Sequence, residues 1–171
     1  DGLFQLLQEV PVGQRAGVTF KTFHDVFMNI GGSGSTFVIP FIILLTHHKQ
    51  HFKSIARLGL FFSLVNVNEL LLFGLPIILN PTFFTPFVLA PFINMIIALG
   101  AINLGLFDFS LTPVHWMLPP IYNAYVASDG SVFAVIVQLI CIASDVLIYY
   151  PFLMAFNQQY ETSSSLANYL E

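Results

Sequence analysis

From residue 83 to residue 107 the chain carries no charged side chain, and a second apolar block, residues 131–156, carries only Asp145. At 1.5 Å of rise per residue each block is long enough to cross the roughly 30 Å hydrocarbon core of a bilayer as an α-helix. A water-soluble fold of such blocks would need a polar shell. With 8% charged residues, against about 25% in an ordinary soluble domain, the chain cannot supply one. The expected class is an all-α membrane protein, polytopic, in which Pro86, Pro91, Gly100 and Gly105 kink or segment the first long helix. The second is the clearest spanning helix, ending in the aromatic anchor Tyr149-Tyr150-Pro151-Phe152.

Two shorter apolar segments, residues 58–67 and 70–79, fall short of a crossing and flank Asn66, Asn68 and Glu69. Gly74, Pro76 and Pro81 interrupt the helix there, so the pair reads as a re-entrant hairpin or broken helix, which membranes tolerate only where the backbone is buried in protein or lines a cavity. Glu69 is the carboxylate of this segment. A charge at membrane depth costs several kcal/mol unless it is paired, protonated or facing water, which makes Glu69 a functional candidate.

The remaining segments frame these. Pro11, Gly13 and Gly17 mark turns before Phe20, Phe23, Val26 and Phe27, which suggest an amphipathic helix, interfacial or half-buried. Gly31-Gly32-Ser33-Gly34-Ser35 has the composition of a hinge or a close backbone approach. It lacks the Gly-Lys-Ser/Thr ending of a phosphate-binding loop, so no nucleotide is expected there. An apolar stretch, residues 36–46, follows and with the glycines before it could complete a crossing. Lys49, Lys53 and Arg57 concentrate the basic charge in a short polar stretch, residues 46–57, read as a cytoplasmic topology loop. His47, His48 and His51 have metal-compatible spacings if helical but no acidic or cysteine ligand nearby, so no metal site is expected. The lone Cys141 allows no disulfide within the chain. Residues 108–130 form a wetter connection with His115, Trp116, Tyr122 and Tyr125, and residues 157–171 a polar tail or linker after a membrane part at 1–156. The start at Asp1, without Met or a signal sequence, suggests a piece of a longer protein.

The order of these motifs resembles the enzyme IIC membrane subunits of the phosphoenolpyruvate-dependent sugar phosphotransferase system, in their lactose/cellobiose/chitobiose branch. The likeness rests on Gly31-Gly32-Ser33-Gly34, on Asn68-Glu69 with Phe73-Gly74-Leu75-Pro76-Ile77 and Leu79-Asn80-Pro81, and on Ala90-Pro91-Phe92-Ile93-Asn94. Pro119-Pro120-Ile121 and Ile148-Tyr149-Tyr150-Pro151-Phe152 complete it. The resemblance implies a multi-pass homodimer of the bacterial inner membrane that carries a β-linked disaccharide or related glycoside. The sugar would be phosphorylated by the phosphocysteine of a soluble partner, enzyme IIB, so the donor residue would not lie in this chain. Whether the chain counts as an enzyme stays open on this reading. No cofactor and no nucleic acid are implied. The family's Asn-Glu-Pro reads Asn68-Glu69-Leu70 here, and the family's amino-terminal half, with a sugar-site histidine, is not in this sequence.

Carried over, Glu69 is the residue that orients the attacking hydroxyl and takes its proton, the role catalysis of phosphoryl transfer asks of a carboxylate. Asn68 either caps the broken segment or bonds a sugar hydroxyl. Trp116 either packs on the apolar face of a pyranose or anchors the interface. His115 beside it joins the substrate-binding candidates, with an interfacial or hydrogen-bonded histidine as its alternative. Asp145 by itself suggests ion or proton coupling. The family is driven by phosphorylation of its cargo, which favours a structural hydrogen bond to a helix end. A second hypothesis, which Leu70 favours, is an enzyme IIC-like sugar sensor controlling an attached cytoplasmic signalling domain. A third is an ion-coupled transporter using Glu69 and Asp145.

Overall fold

The computed structural model describes residues 9–10, 18–46, 50–75, 77–78, 80–109 and 114–170. A two-residue antiparallel ladder comes first, β1 (Glu9–Val10) against β2 (Val18–Thr19), with Val10 opposite Val18. Among the described residues every regular element after it is helical. Helix α1 (Phe20–Phe23) runs directly into a π-helical turn, His24–Met28, closed by the Asn29 N–H on the His24 carbonyl at 3.0 Å. The sequence pattern suggests an interfacial or half-buried amphipathic helix here, and Phe20 is exposed. Phe23, Val26 and Phe27 are instead buried in the core, where Phe27 packs on Phe107 and Phe109.

After the glycine-rich loop a 3₁₀ turn, Thr36–Val38, leads into helix α2 (Ile39–Leu45). Helix α3 (Gln50–Ser63) unites what the sequence divided into a polar loop and a short apolar segment. The pattern explains why: Phe52, Ala56, Gly59 and Ser63, spaced at helical intervals, are its buried face. His47, His48 and Lys49 lie outside the described residues. Among those described, no group of three His, Cys, Asp or Glu residues is placed to hold a metal.

A reversal at residues 64–68 turns the chain back into helix α4 (Glu69–Gly74), so the segment is a broken helix. Pro76, part of the expected interruption, lies outside the described residues. The break is made at Asn66, which has a left-handed φ of 58°. Asn and Gly tolerate that conformation best. Gly59 then lets α4 lie close on α3, because a Cβ there would overlap the Leu71 side chain.

Helix α5 (Pro81–Asn103) opens with Asn80 as its cap, the side chain accepting the Thr82 N–H at 3.0 Å, and with proline at its first position. It carries Pro86 and Pro91 without being divided into segments. Gly105, expected to kink the helix, ends it: with φ 73° it allows Gly105 N–H to bond Ile102 O and Leu106 N–H to bond Ala101 O. That is a Schellman stop, so the helix closes before residue 107. A short helix α6 (Tyr122–Ala127) precedes α7 (Val132–Leu170), 39 residues long with Pro151 inside it. At 1.5 Å per residue α7 is about 58 Å long, nearly twice a hydrocarbon core. The polar residues 157–170 continue its helix.

Among the described residues two helices, Pro81–Asn103 and Val132–Gln159, are long and apolar enough to cross a membrane. They pack antiparallel, Ala98 and Ala101 with Ala134, Val137 and Cys141 in one apolar cluster, Phe83 and Ala90 with Tyr149 and Leu153 in another. The glycine-rich loop enters where these clusters meet.

Candidate functional site

The glycine-rich loop follows from its backbone. Gly31, Gly32 and Gly34 have φ of 75°, 106° and 79°, and Ser35 follows at 54°, a run of left-handed residues that side chains strain to adopt. Space imposes the same choice at Gly32, where a Cβ would stand 2.6 Å from Asn68 Cγ. The loop is therefore pressed against the turn that carries Asn68 and Glu69.

Two amides hold it there. Asn68, buried, donates to the Ser33 carbonyl and to Thr36 Oγ1, both at 2.7 Å. Asn66 accepts the Gly31 N–H at 2.9 Å, and donates to the carbonyls of Trp116 at 2.6 Å and Leu118 at 3.2 Å. One side chain thus joins the glycine loop, the helix break and the Trp116 connection, which are far apart in sequence.

These segments enclose a cavity of about 160 Å³ lined by His24, Asp25, Asn29, Gly32, Ser33, Asn66 and Trp116. On its helical side the Asn29 amide donates to His24 Nε2 at 2.8 Å, and His24 Nδ1 meets Asp25 Oδ1 at 3.0 Å. A nitrogen that accepts leaves the proton on the other, so this network assigns His24 as the neutral Nδ1–H form with Asp25 as its acceptor. His24 and Asn29 are five residues apart, a spacing that separates side chains around an α-helix. The π-helical turn, whose bonds run between residues five apart, brings them together. An imidazole, a carboxylate, two amides and an indole around one small space form a set suited to a polyhydroxylated ligand with an apolar face.

The residues read from the sequence are placed as follows. Trp116 lines the cavity and is 44% exposed. His115 stacks on it, ring centroids 6.0 Å apart, and its Nδ1 accepts the Met117 N–H at 3.3 Å. Asn68 stands at the cap position of α4 without capping it, its side chain turned to the loop. Its amide hydrogens are directed at Ser33 and Thr36, behind the cavity wall. Glu69 is the exposed first residue of α4 and does not line the cavity. Asp145 is far from exposed: buried within α7, it bonds the side chains of Ser35 and Asn94 and reaches no helix-end backbone group among the described residues. His24, Asp25, Asn29 and Asn66 were not singled out as binding residues. A helical period cannot align the first three, although polar residues inside the Phe20–Ile30 run are the signal that points to them.

Set beside known proteins, residues 4–91 match the family model for "Phosphotransferase system, EIIC". The chain is similar to the PTS system cellobiose-specific EIIC component of Lactococcus lactis subsp. lactis, 40% identical over 138 residues, which are 81% of this chain and 28% of that protein. It is 31% identical over 157 residues to the lichenan permease IIC component of Bacillus subtilis, 91% of this chain and 34% of that one. With the PTS system lactose-specific EIICB component of Staphylococcus aureus it shares 33% identity over 158 residues, 91% of this chain and 27% of that one. In three dimensions it resembles the crystal structure of the transporter ChbC, the IIC component from the N,N'-diacetylchitobiose-specific phosphotransferase system. That match has a TM-score of 0.83 at 32% identity, covering 95% of this chain and 37% of that one. The chain thus spans about a third of the length of these relatives.

Proposed function

Because the chain belongs to the EIIC family of the phosphotransferase system, we propose that it is the sugar-binding part of a membrane permease for a β-linked disaccharide of the cellobiose, chitobiose or lactose kind. The observation that carries this reading is the cavity in which Trp116 faces the hydrogen-bonded chain Asp25–His24–Asn29 across the wall made by Gly32, Ser33 and Asn66. An indole packs on the apolar face of a pyranose, while amides, imidazole and carboxylate match hydroxyls at its edge. At about 160 Å³ the space is smaller than the roughly 300–1,000 Å³ usual for small-molecule sites. We assign it to one sugar ring, the other ring being held by the remainder of the permease.

In this reading the permease is a multi-pass homodimer of the bacterial inner membrane, and its cargo is phosphorylated by the phosphocysteine of an enzyme IIB partner. Glu69, outside this cavity at the exposed start of α4, is assigned to a hydroxyl that extends beyond it, which it orients and whose proton it takes up as the phosphoryl group moves. Asn68 acts on the sugar through the loop it braces, and His115 by backing Trp116. In the complete permease, Glu69→Gln is expected to keep the thermal melting profile and to lose most phosphorylation-coupled cellobiose uptake. Uptake near the unaltered level would refute the role given to Glu69.

A further inference from the structure

Where the two spanning helices meet, polar residues interrupt their buried stripes: Asn94 between Ala90 and Ala98 on α5, and Asp145 between Cys141 and Tyr149 on α7, whose other buried polar residue, Gln138, bonds Val26 and Asn123 instead. Asn94 and Asp145 are both 0% exposed. The Asn94 amide nitrogen donates to the Asp145 carboxyl oxygens at 3.0 and 3.1 Å, and its carbonyl oxygen receives the Ser144 hydroxyl at 3.0 Å. Among the described residues every group bonded to Asp145 is neutral. Apolar residues of similar volume would continue both stripes, and such replacements of buried polar pairs are often neutral or stabilising. Stability alone does not account for the pair.

What the pair does instead is hold Ser35. The Ser35 hydroxyl donates to Asp145 Oδ2 at 2.6 Å and accepts from the Asn94 amide at 3.0 Å. One residue earlier, the Tyr149 hydroxyl donates to the Gly34 carbonyl at 2.5 Å. Two consecutive loop residues are thus gripped by the two spanning helices. The next two back, Ser33 and Gly32, line the cavity. We propose that Asn94 and Asp145 are positioning residues, which set the Gly32–Ser33 wall of the cavity through Ser35. The proposal rests on reading that cavity as the sugar site.

The test uses the complete permease in detergent, with binding of radiolabelled cellobiose and N,N'-diacetylchitobiose, and with maleimide labelling of Ser33→Cys as a readout of the loop that needs no sugar. Ser33 is exposed and Cys141 buried, and labelling is taken as the difference from the same permease without Ser33→Cys, so the introduced thiol reports the wall. Asn94→Asp sets two carboxyls together and Asp145→Asn two amides. Each should weaken sugar binding about tenfold or more and change the labelling rate at least about threefold. The exchanged pair Asn94→Asp with Asp145→Asn restores donor to acceptor, with Ser35 still between them, and should return both readouts to within about threefold of the unaltered protein. Ser35→Ala leaves the Asn94–Asp145 contact in place and should still weaken binding about fivefold. The proposal is overturned if Ser35→Ala binds and labels like the unaltered protein, or if the exchanged pair folds by size-exclusion and melting yet recovers neither readout. If neither the unaltered protein nor any variant binds either sugar but labelling follows the expected pattern, the sugar reading fails and the positioning role stands.

Discussion

Two polar clusters sit at the two ends of the glycine-rich loop, and they differ in where their hydrogen bonds end. Ser35, Asn94 and Asp145 close on one another and on Ser144 within the protein, with Tyr149 bonding the loop carbonyl beside them. His24, Asp25, Asn29 and Asn66 also bond to protein, but they face open space, and His24 and Asp25 are 38% and 27% exposed. The first arrangement spends its polarity on fixing a shape; the second keeps polarity at a surface where a ligand's hydroxyls can exchange for it. Burying polar groups in an apolar medium is tolerated in both cases because each group has a partner. What separates scaffold from site is whether the partner can be replaced from outside.

The largest effect that separates the clusters is expected from Asp145→Leu. It leaves the donors of Asn94 and Ser35 unsatisfied in the interior, and should destabilise the fold by about 2–5 kcal/mol, seen as a lowered Tm in detergent. At the cavity, Trp116→Ala should leave Tm nearly unchanged and weaken cellobiose binding about tenfold or more, measured by titration. Asn66 lines the cavity and also braces the backbone around it, and Asn66→Ala should do both things: it loses three hydrogen bonds and places a Cβ residue without a polar side chain at φ 58°. A loss of about 1–3 kcal/mol of stability is expected together with weaker binding. Least is expected from Leu70→Pro, which restores the family's motif. Residue 70 lies in the first turn of α4, where backbone N–H groups have no helical partner, so a Tm change equivalent to about 1 kcal/mol or less should result. A larger loss would move the helix break from Asn66 to residue 70.

The sequence made the class of the molecule legible because a bilayer leaves so few options to uncharged runs of that length. It also located the broken helix, although the residue that makes the break was less apparent. Proline and glycine were the visible punctuation, yet α5 passes through Pro86 and Pro91, and the reversal occurs at Asn66. Gly105 shows the same ambiguity: a glycine in an apolar run reads equally as a kink or as a stop, and only the backbone bonds to Ala101 and Ile102 decide. Residues 46–67 were divided by polarity, whereas α3 keeps one buried face through the change because Phe52 and Ala56 continue it. Of the residues that line the cavity, Trp116 was legible as a candidate from its type and neighbours. His24 and Asn29 were not, because a π-helical turn has no simple signature in the spacing of side chains, and Asn94 stood in a recognised motif with no role until Ser35 and Asp145 were seen on either side of it.

Asn66 has a kinematic consequence. Its amide ties Gly31 to Trp116 and Leu118, so the loop and the indole wall behave as one body with a shared hinge. Moving them apart means breaking three bonds, each worth about 0.5–1.5 kcal/mol net. The π-helical turn His24–Met28 is tied to the same loop, the Gly34 N–H bonding Asn29 Oδ1 at 3.2 Å and the Gly32 N–H bonding the Asn29 carbonyl at 3.1 Å, so the lining of the cavity is one braced frame.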